Sequence, residues 1–219
     1  MNPVRDDSDG SPKQDEAFSH GMNGPTAQGS QTPEVSKGSD RSILVYTVLA
    51  VGLAIVVRFF VAAPYLVSGP SMEPTFENHD YLIVDRLTYD FAQPQRGDII
   101  IFQLPQNTSE TLIKRLVGVP GDTVSVSGNT VTITNKEHPK GLVLSEPYLD
   151  PADLGGQSGV TVTLGADQYF ALGDNRKVSY DSRLWGTLPR KDIIGRVFIR
   201  LYPFNAIGAL PGEARYSGS

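Results

Sequence analysis

The 219-residue sequence has no cysteine, which excludes disulfide bonds and thiolate metal sites. Histidine is also scarce, and the three present, His20, His79 and His138, are not spaced as metal ligands. Basic residues are not in excess either, since 24 acidic residues outnumber 19 basic ones and give a formal net charge of −5. We therefore expect neither a metal nor a nucleic-acid partner.

The N-terminal residues 1–41 show no apolar period and contain one aromatic residue, Phe18. Gly, Ser, Pro, Asp and Gln are abundant among them. Such a composition buries too little apolar surface to offset the entropy of ordering the chain. We expect residues 1–41 to form a disordered tail.

Charge is absent from residues 43–57, and apolar residues continue beyond Arg58 to Ala63. This run of about 20 residues has the length of a membrane-spanning helix. A buried core helix and a cleavable export signal are the alternatives, but a core helix would show a polar stripe and an export signal rarely follows so long a tail. We predict that residues 42–63 form an uncleaved signal anchor, with Arg58 reaching the interface.

The few charges beside this run predict its orientation. Lys37 and Arg41 precede it, which favours a cytoplasmic N-terminus and an exported C-terminal domain. We expect a single-pass protein of the plasma (inner) membrane, in contact with membrane lipid. Its folded domain should lie on the extracytoplasmic side.

Beyond Pro64 no helical period is found, and short β-branched or aromatic runs alternate with Gly, Pro and Asn. This pattern predicts a mainly β domain over residues 64–205, followed by a C-terminal tail at 206–219. Prolines and glycines in 136–159 predict a long loop or a small flap. The candidate strands are 81–86, 98–102, 111–117, 123–127, 130–134, 160–164, 168–172 and 194–202.

A candidate nucleophile, Ser71, lies in the segment SGPSMEPT at 68–75, directly after the apolar run. Its glycine and prolines disfavour regular structure, so Ser71 should lie on a rigid loop close to the bilayer. A serine in such a loop is commonly only a turn residue. A nucleophilic hydroxyl needs a base, and two candidates are available.

The first candidate is a Ser-His-Asp triad with His79 and Asp80, although adjacent residues of an extended segment point to opposite faces. The second is Lys114, which strand alternation would place on an apolar face with Leu112 and Leu116. Lowering a lysine pKa to roughly 8 requires about 3 kcal/mol, which burial can supply. A buried lysine can equally be part of a structural ion pair.

Four segments occur in this order along the chain: SMEPT at 71–75, RGDIIIF at 96–102, KRLVGVPGD at 114–122, and GDNR at 173–176 continuing to residue 183. They resemble the successive boxes of type I signal peptidases, a family of serine–lysine proteases. The similarity covers about residues 43–202. It implies a signal-peptidase-like antiparallel β domain with one N-terminal transmembrane helix, and a membrane-anchored endopeptidase that needs no cofactor.

The resemblance also implies roles for individual residues. Ser71 would be the acylated nucleophile and Lys114 its neutral base, while Ser179 would orient the Lys114 amine through a hydrogen bond. Asp181 and Arg183 would form a supporting ion pair in which Arg115 could share.

The oxyanion site departs from a common pattern of the family. Many members carry a serine two positions before the nucleophile, where this chain has Gly69. Other members also have glycine there. The oxyanion would then depend on backbone N–H groups, chiefly that of Ser71.

The expected partners are signal peptides of exported preproteins, cleaved after small residues in an A-x-A pattern. The peptide would pair its backbone with the strand edge at 112–114. Met72 and Ile113 are candidate pocket walls.

Three other interpretations stay open. Self-cleaving cytosolic repressors also use Ser and Lys on a β scaffold, but they would not need the apolar run. A noncatalytic membrane-anchored β module could bind exported segments without cleaving them. The Asn-Thr-Ser triplet at Asn107 could mark a glycosylated surface protein, although such triplets occur by chance.

Overall fold

The computed structural model describes residues 38–56 and 62–216. Helix α1 (Gly38–Val56) begins inside the predicted tail, most of which lies outside the described residues. The apolar side chains of α1 from Ile43 to Ile55 are exposed. Of the helices within the described ranges, none combines the length and the apolar character that a membrane crossing requires.

The predicted anchor at 42–63 does not match the structure at its C-terminal end. Ala62 and Ala63 belong to strand β1 (Ala62–Leu66), where they pair with Asp85 and Val84 of the next strand. Strand pairing satisfies their backbone groups, which sequence periodicity could not indicate. Residues 57–61 of the predicted anchor lie outside the described part of the chain.

The residues from β1 onward form two sheets, and every strand pair described is antiparallel, which confirms the mainly β prediction. The larger sheet has the order β1-β2-β11-β3-β4-β9-β10, with β12 pairing to β11, and the smaller has the order β7-β6-β5-β8. The strands after β1 are β2 (Tyr81–Asp85), β3 (Ile99–Leu104), β4 (Asn107–Gly118), β5 (Thr123–Ser127), β6 (Thr130–Thr134), β7 (Leu142–Val143), β8 (Val160–Thr163), β9 (Gln168–Leu172), β10 (Leu188–Pro189), β11 (Ile193–Tyr202) and β12 (Gly208–Ala209).

Short helical turns fill several connections. They are α2 (Thr88–Phe91), α3 (Ser182–Trp185) and the 3-10 turns Pro151–Asp153, Arg190–Asp192 and Phe204–Ala206. The predicted loop or flap at 136–159 is mostly irregular, with β7 and the first of these 3-10 turns inside it.

Alternation along the central strands builds cores on both faces of the large sheet. In β3, Ile100 and Phe102 pack into one apolar cluster, whereas Ile99 and Ile101 pack into another. Strand β4 pairs with β3 and, from Arg115 onward, with β9. Its buried residues contribute to each of the three apolar clusters of the β domain.

The predicted C-terminal tail is part of the fold up to Tyr216. Strand β12 pairs with β11, and the Tyr216 side chain is buried in the cluster that also contains the inner faces of β5 and β6. The predicted tail at 206–219 is therefore held by strand pairing and by side-chain packing up to Tyr216.

Candidate active site

Ser71 lies in the connection between β1 and β2, on a turn anchored by two buried side chains. The backbone N–H of Phe76 donates to the carbonyl of Met72 at 2.9 Å, and both side chains are fully buried. Gly69 adopts a φ of +87°, which favours glycine at the entrance of the turn. The loop character predicted for this segment is confirmed.

Lys114 reaches Ser71 from the middle of β4. Its Nζ lies 2.8 Å from Ser71 Oγ and 2.8 Å from the carbonyl oxygen of Ile113. Strand pairing with Ile100 fixes its backbone, and only 2% of the residue is exposed. The structure therefore brings together the two residues that the sequence assigns to nucleophile and base.

Burial lowers the pKa of Lys114 to about 8, because an ammonium group loses solvation inside the protein. Asp181 and Asp174 oppose this shift, since negative charge favours the protonated amine. Desolvation prevails, so a large fraction of Lys114 is neutral near pH 8 and can accept a proton.

Ser179 is buried beside the Ser71 loop but does not make the predicted hydrogen bond to Lys114. Its Oγ has no hydrogen-bond partner among the described residues. A Cβ added at Gly173 would come within 2.1 Å of Ser179 Oγ and 2.5 Å of the Ser71 carbonyl oxygen. Ser179 thus lies next to the nucleophile, separated from it only by a glycine.

The turn that carries Ser179 is tied to Ser71 through the main chain. The N–H of Asn175 donates to the Ser71 carbonyl at 3.1 Å, and the N–H of Ser179 donates to the Asn175 carbonyl at 3.1 Å. The N–H of Gly173 donates to Asp181 at 3.1 Å. The last of the four sequence segments is therefore folded around the nucleophile.

Asp181 and Arg183 form a buried ion pair. Arg183 donates Nε and Nη2 to the two carboxylate oxygens of Asp181, each at 2.8 Å. Arg183 also donates to the carbonyl oxygens of Arg176 and Gly155, at 2.8 Å and 3.1 Å. Because the guanidinium neutralises Asp181, this carboxylate stabilises the nearby Lys114 ammonium less than it would alone.

Arg115 does not share this pair and instead binds Asp174. Its Nε and Nη2 donate to the two oxygens of Asp174 at 2.8 Å and 2.6 Å, and both side chains are completely buried. Thr75 Oγ1 also donates to Asp174, at 2.5 Å. Sequence reasoning missed this pair, although the position of Arg115 directly after Lys114 was a signal.

A family model described as signal peptidase, peptidase S26, matches residues 41–202. The chain belongs to the signal peptidase family. This finding confirms the resemblance, and the chain is accordingly a serine peptidase.

Two related proteins agree with the family assignment. A signal peptidase I from Leptolyngbya laminosa is 39% identical over 84% of this chain and 92% of that protein. A probable signal peptidase I-2 from Synechocystis sp. is 39% identical over 76% of this chain and 75% of its own length. A crystal structure of a signal peptidase I from Enterococcus faecalis V583 aligns with 48% of this chain and 97% of that chain, at 34% identity and a TM-score of 0.40.

The alternative base in this signal peptidase family member is engaged elsewhere. His79 has a φ of +72°, and its Nδ1 lies 3.1 Å from Asn78 Nδ2. Asp80 forms an ion pair with Arg200 at 3.3 Å. The side chain in hydrogen-bond contact with Ser71 Oγ is that of Lys114, so the geometry favours a lysine base over a triad.

The two predicted pocket residues are found in one apolar cluster. Met72 is fully buried and Ile113 is 8% exposed, so in this structure Met72 forms part of the core beneath the site. Ile113 lies directly beside Lys114 and keeps a small accessible surface.

The space at Gly69 is open. A Cβ there would meet no heavy atom within 4 Å, and the Gly69 N–H donates to Asn78 Oδ1 at 3.1 Å.

In the part of the chain that the structure describes, no group of three or more His, Cys, Asp or Glu is suited to hold a metal ion.

Proposed function

We propose that this serine peptidase removes N-terminal signal peptides from exported preproteins, with Ser71 as nucleophile and Lys114 as general base. The observation that carries the proposal is the 2.8 Å contact between Lys114 Nζ and Ser71 Oγ in a buried setting. A nucleophile and a base within hydrogen-bond distance are the minimum for acyl transfer by a serine.

The reaction proceeds in two halves. Neutral Lys114 takes the Ser71 proton while Oγ attacks the scissile carbonyl, and the protonated amine then gives that proton to the departing amine of the mature chain. This leaves the signal peptide as an acyl ester on Ser71. Lys114 next deprotonates a water that attacks the ester, and the proton returns to Ser71 Oγ as the signal peptide leaves.

The oxyanion of the tetrahedral intermediate has no side-chain hydroxyl donor at position 69. The backbone N–H of Ser71 is our candidate donor, because it belongs to the residue that carries the attacking oxygen. The open space at Gly69 leaves room for the substrate carbonyl beside it.

Strand β4 offers the signal peptide a place to bind as an added strand. Its residues Leu112 and Lys114 pair with β3 on one side, whereas pairing with β9 begins only at Arg115. Among the strands that the structure describes, none pairs with the other edge beside Lys114. Backbone pairing there would hold an extended peptide across Ser71. Small residues at the −3 and −1 positions of the signal peptide, the A-x-A pattern that precedes the cleaved bond, would fit the limited space beside Ile113.

The proposed anchor is the apolar segment that starts at Ile43. The exposed apolar side chains of α1 and the apolar residues that follow in the sequence support contact with lipid. The N-terminus would be cytoplasmic and the β domain extracytoplasmic in the plasma (inner) membrane, where an exported preprotein presents its cleavage site.

The test is cleavage of a preprotein with an A-x-A site by the detergent-solubilised full chain. Ser71→Ala and Lys114→Ala, each checked for folding by circular dichroism, should lose cleavage at that site. Cleavage by either folded variant would overturn the catalytic assignment. Binding without cleavage by the unmutated chain would instead support a noncatalytic peptide-binding module.

A further inference from the structure

The residues after β11 form a strap against the active-site loop. We define the C-terminal strap as residues 208–216. It begins with β12 paired to β11, and the Leu210 N–H donates to the Phe198 carbonyl at 2.7 Å. Further on, a Cβ added at Gly97 would come within 1.8 Å of the Ala214 carbonyl oxygen, so the strap lies directly on the chain before β3.

At Gly212 the strap touches the loop that carries Ser71. Gly212 has a φ of +72°, and a Cβ there would lie 2.2 Å from Thr75 Cγ2 and 3.0 Å from Ile99 Cδ1. A side chain at this position would therefore be strained and would collide with Thr75. Only a glycine allows the strap to approach Thr75 so closely.

The strap also holds the arginine next to Lys114. The Gly212 carbonyl accepts a hydrogen bond of 2.5 Å from Arg115 Nη1, and Arg115 binds both oxygens of Asp174. Asp174 in turn accepts from Thr75 Oγ1. Gly212, Arg115, Asp174 and Thr75 thus form a closed ring of contacts, in which the strap supplies an acceptor that a buried guanidinium needs.

Tyr216 fixes the far end of the strap. Its hydroxyl lies 2.7 Å from the Tyr148 hydroxyl, and the Arg115 guanidinium stacks 3.7 Å from the centroid of the Tyr148 ring. Burial raises the pKa of Tyr216 to about 12, so its phenol stays neutral. The strap therefore reaches Arg115 both at Gly212 and, through Tyr148, at Tyr216.

We propose that the C-terminal strap positions the nucleophile, with Gly212 and Tyr216 as positioning residues, an inference that rests on the proposed function of Ser71. Neither residue touches the reacting atoms. The strap packs against Thr75 at the end of the Ser71 turn, and Arg115 connects it to Asp174, whose neighbour Asn175 donates to the Ser71 carbonyl. Displacement of the strap would therefore move Ser71 Oγ relative to Lys114.

A merely structural strap would affect folding without changing turnover of the folded enzyme. The test compares Gly212→Ala and Tyr216→Phe with Arg215→Ala, whose side chain is 83% exposed and lies in the same segment. Cleavage of a preprotein by full-length, detergent-solubilised enzyme gives kcat and KM, and thermal unfolding shows that each variant is folded at the assay temperature.

We expect Gly212→Ala to lower kcat by about tenfold with KM nearly unchanged, because a small misplacement of reacting groups costs turnover rather than binding. Tyr216→Phe should lower kcat by about threefold, since it removes one hydrogen bond and keeps the ring. Arg215→Ala should behave like the unmutated chain. If Gly212→Ala does not fold, Tyr216→Phe decides alone, and an unchanged kcat in every folded strap variant overturns the proposal.

Hydrogen exchange separates failure of this inference from failure of the proposed function. The amides of Phe76 and Asn175, which bond to Met72 and Ser71, should exchange about tenfold faster in Gly212→Ala but not in Arg215→Ala. If the unmutated chain cleaves nothing, the proposed function fails, yet this measurement still shows whether the strap holds the loop. Equal exchange in both variants would sink the inference whatever the activity.

Discussion

The carbonyl oxygen of Ser71 accepts a hydrogen bond from the backbone N–H of Asn175 at 3.1 Å. This bond joins the nucleophile loop to the turn that follows β9, two segments that are distant in sequence. Gly173 lies at the junction, against both the Ser71 carbonyl and Ser179 Oγ. The position of the nucleophile therefore depends on a residue that has no side chain.

Gly173→Ala should lower kcat by about 100-fold, because the new methyl group would lie 2.5 Å from the Ser71 carbonyl and force the loop away from Lys114. Preprotein cleavage by the folded variant measures the effect. Gly165→Ala is the matched control, since its nearest neighbour is the flexible end of Gln168 at 3.3 Å. Comparable kcat for the two variants would show that the junction tolerates a side chain.

Ser179→Ala should also reduce turnover by about 100-fold while leaving stability intact. The buried Ser179 Oγ has no partner in the described structure, so its removal costs no hydrogen bond. We propose that Ser179 orients the Lys114 amine during catalysis, the role that the family resemblance implies. Ser182→Ala should instead lower stability and leave turnover of the folded enzyme unchanged, because Ser182 Oγ accepts a hydrogen bond from the Ala171 N–H at 2.9 Å. An unchanged rate in Ser179→Ala would remove the orienting role.

The strands that could be predicted from the sequence are those with a clear period. Strands β5, β6 and β9 begin and end at the predicted residues. In β5 and β6, Val or Ile alternates with Thr or Ser, whereas β9 is a short, mostly apolar run that follows turn residues. Strands β7, β10 and β12 have two residues each, too few to show any period. They form because a neighbouring strand offers hydrogen bonds. The presence of that neighbour depends on the fold and cannot be seen in the local sequence.

The active-site residues also differ in whether they could be predicted from the sequence. Ser71 and Lys114 could be located because they occur in distinctive ordered segments, and the structure places them in contact. The ion pair between Asp181 and Arg183 was expected and is present. The partner of Arg115 could not be predicted, since Asp174 and Asp181 lie in one segment and either could bind it. Three-dimensional packing decides this, as it decides the contact of Gly212 with Arg115.

The pH dependence of cleavage should depend on the ion pair between Asp181 and Arg183. In the unmutated enzyme, activity should rise with pH and reach half of its maximum near pH 8, because Lys114 must lose its proton to act as base. Arg183→Gln would leave Asp181 without its main counter-charge, and the uncompensated carboxylate would favour the Lys114 ammonium. We therefore expect the midpoint to move to higher pH in this variant.

The double variant Asp181→Asn, Arg183→Gln provides the control for that shift. Removing the carboxylate as well should return the midpoint toward the unmutated value, even if the rate stays low. A midpoint that is the same in all three proteins would mean that Asp181 does not influence the base. Activity confined to acidic pH would contradict a lysine base altogether.

Lys114→Met should abolish cleavage and raise the free energy of unfolding at neutral pH. The folded-state pKa of Lys114, about 8, is below the unfolded value, so the unfolded chain binds more protons between pH 8 and about 10.4. Stability due to this residue therefore rises with pH through that window, and below it the buried ammonium costs the fold about 3 kcal/mol. Methionine has a similar volume and no charge, so urea unfolding of detergent-solubilised Lys114→Met at pH 7 should show a gain of up to that size. The gain in stability should shrink as the pH approaches 10.

Lys191→Met is the control, because Lys191 is exposed. This substitution should change stability little at either pH. Equal or lower stability of Lys114→Met at pH 7, with no change in the difference toward pH 10, would contradict the lowered pKa on which its role as base depends.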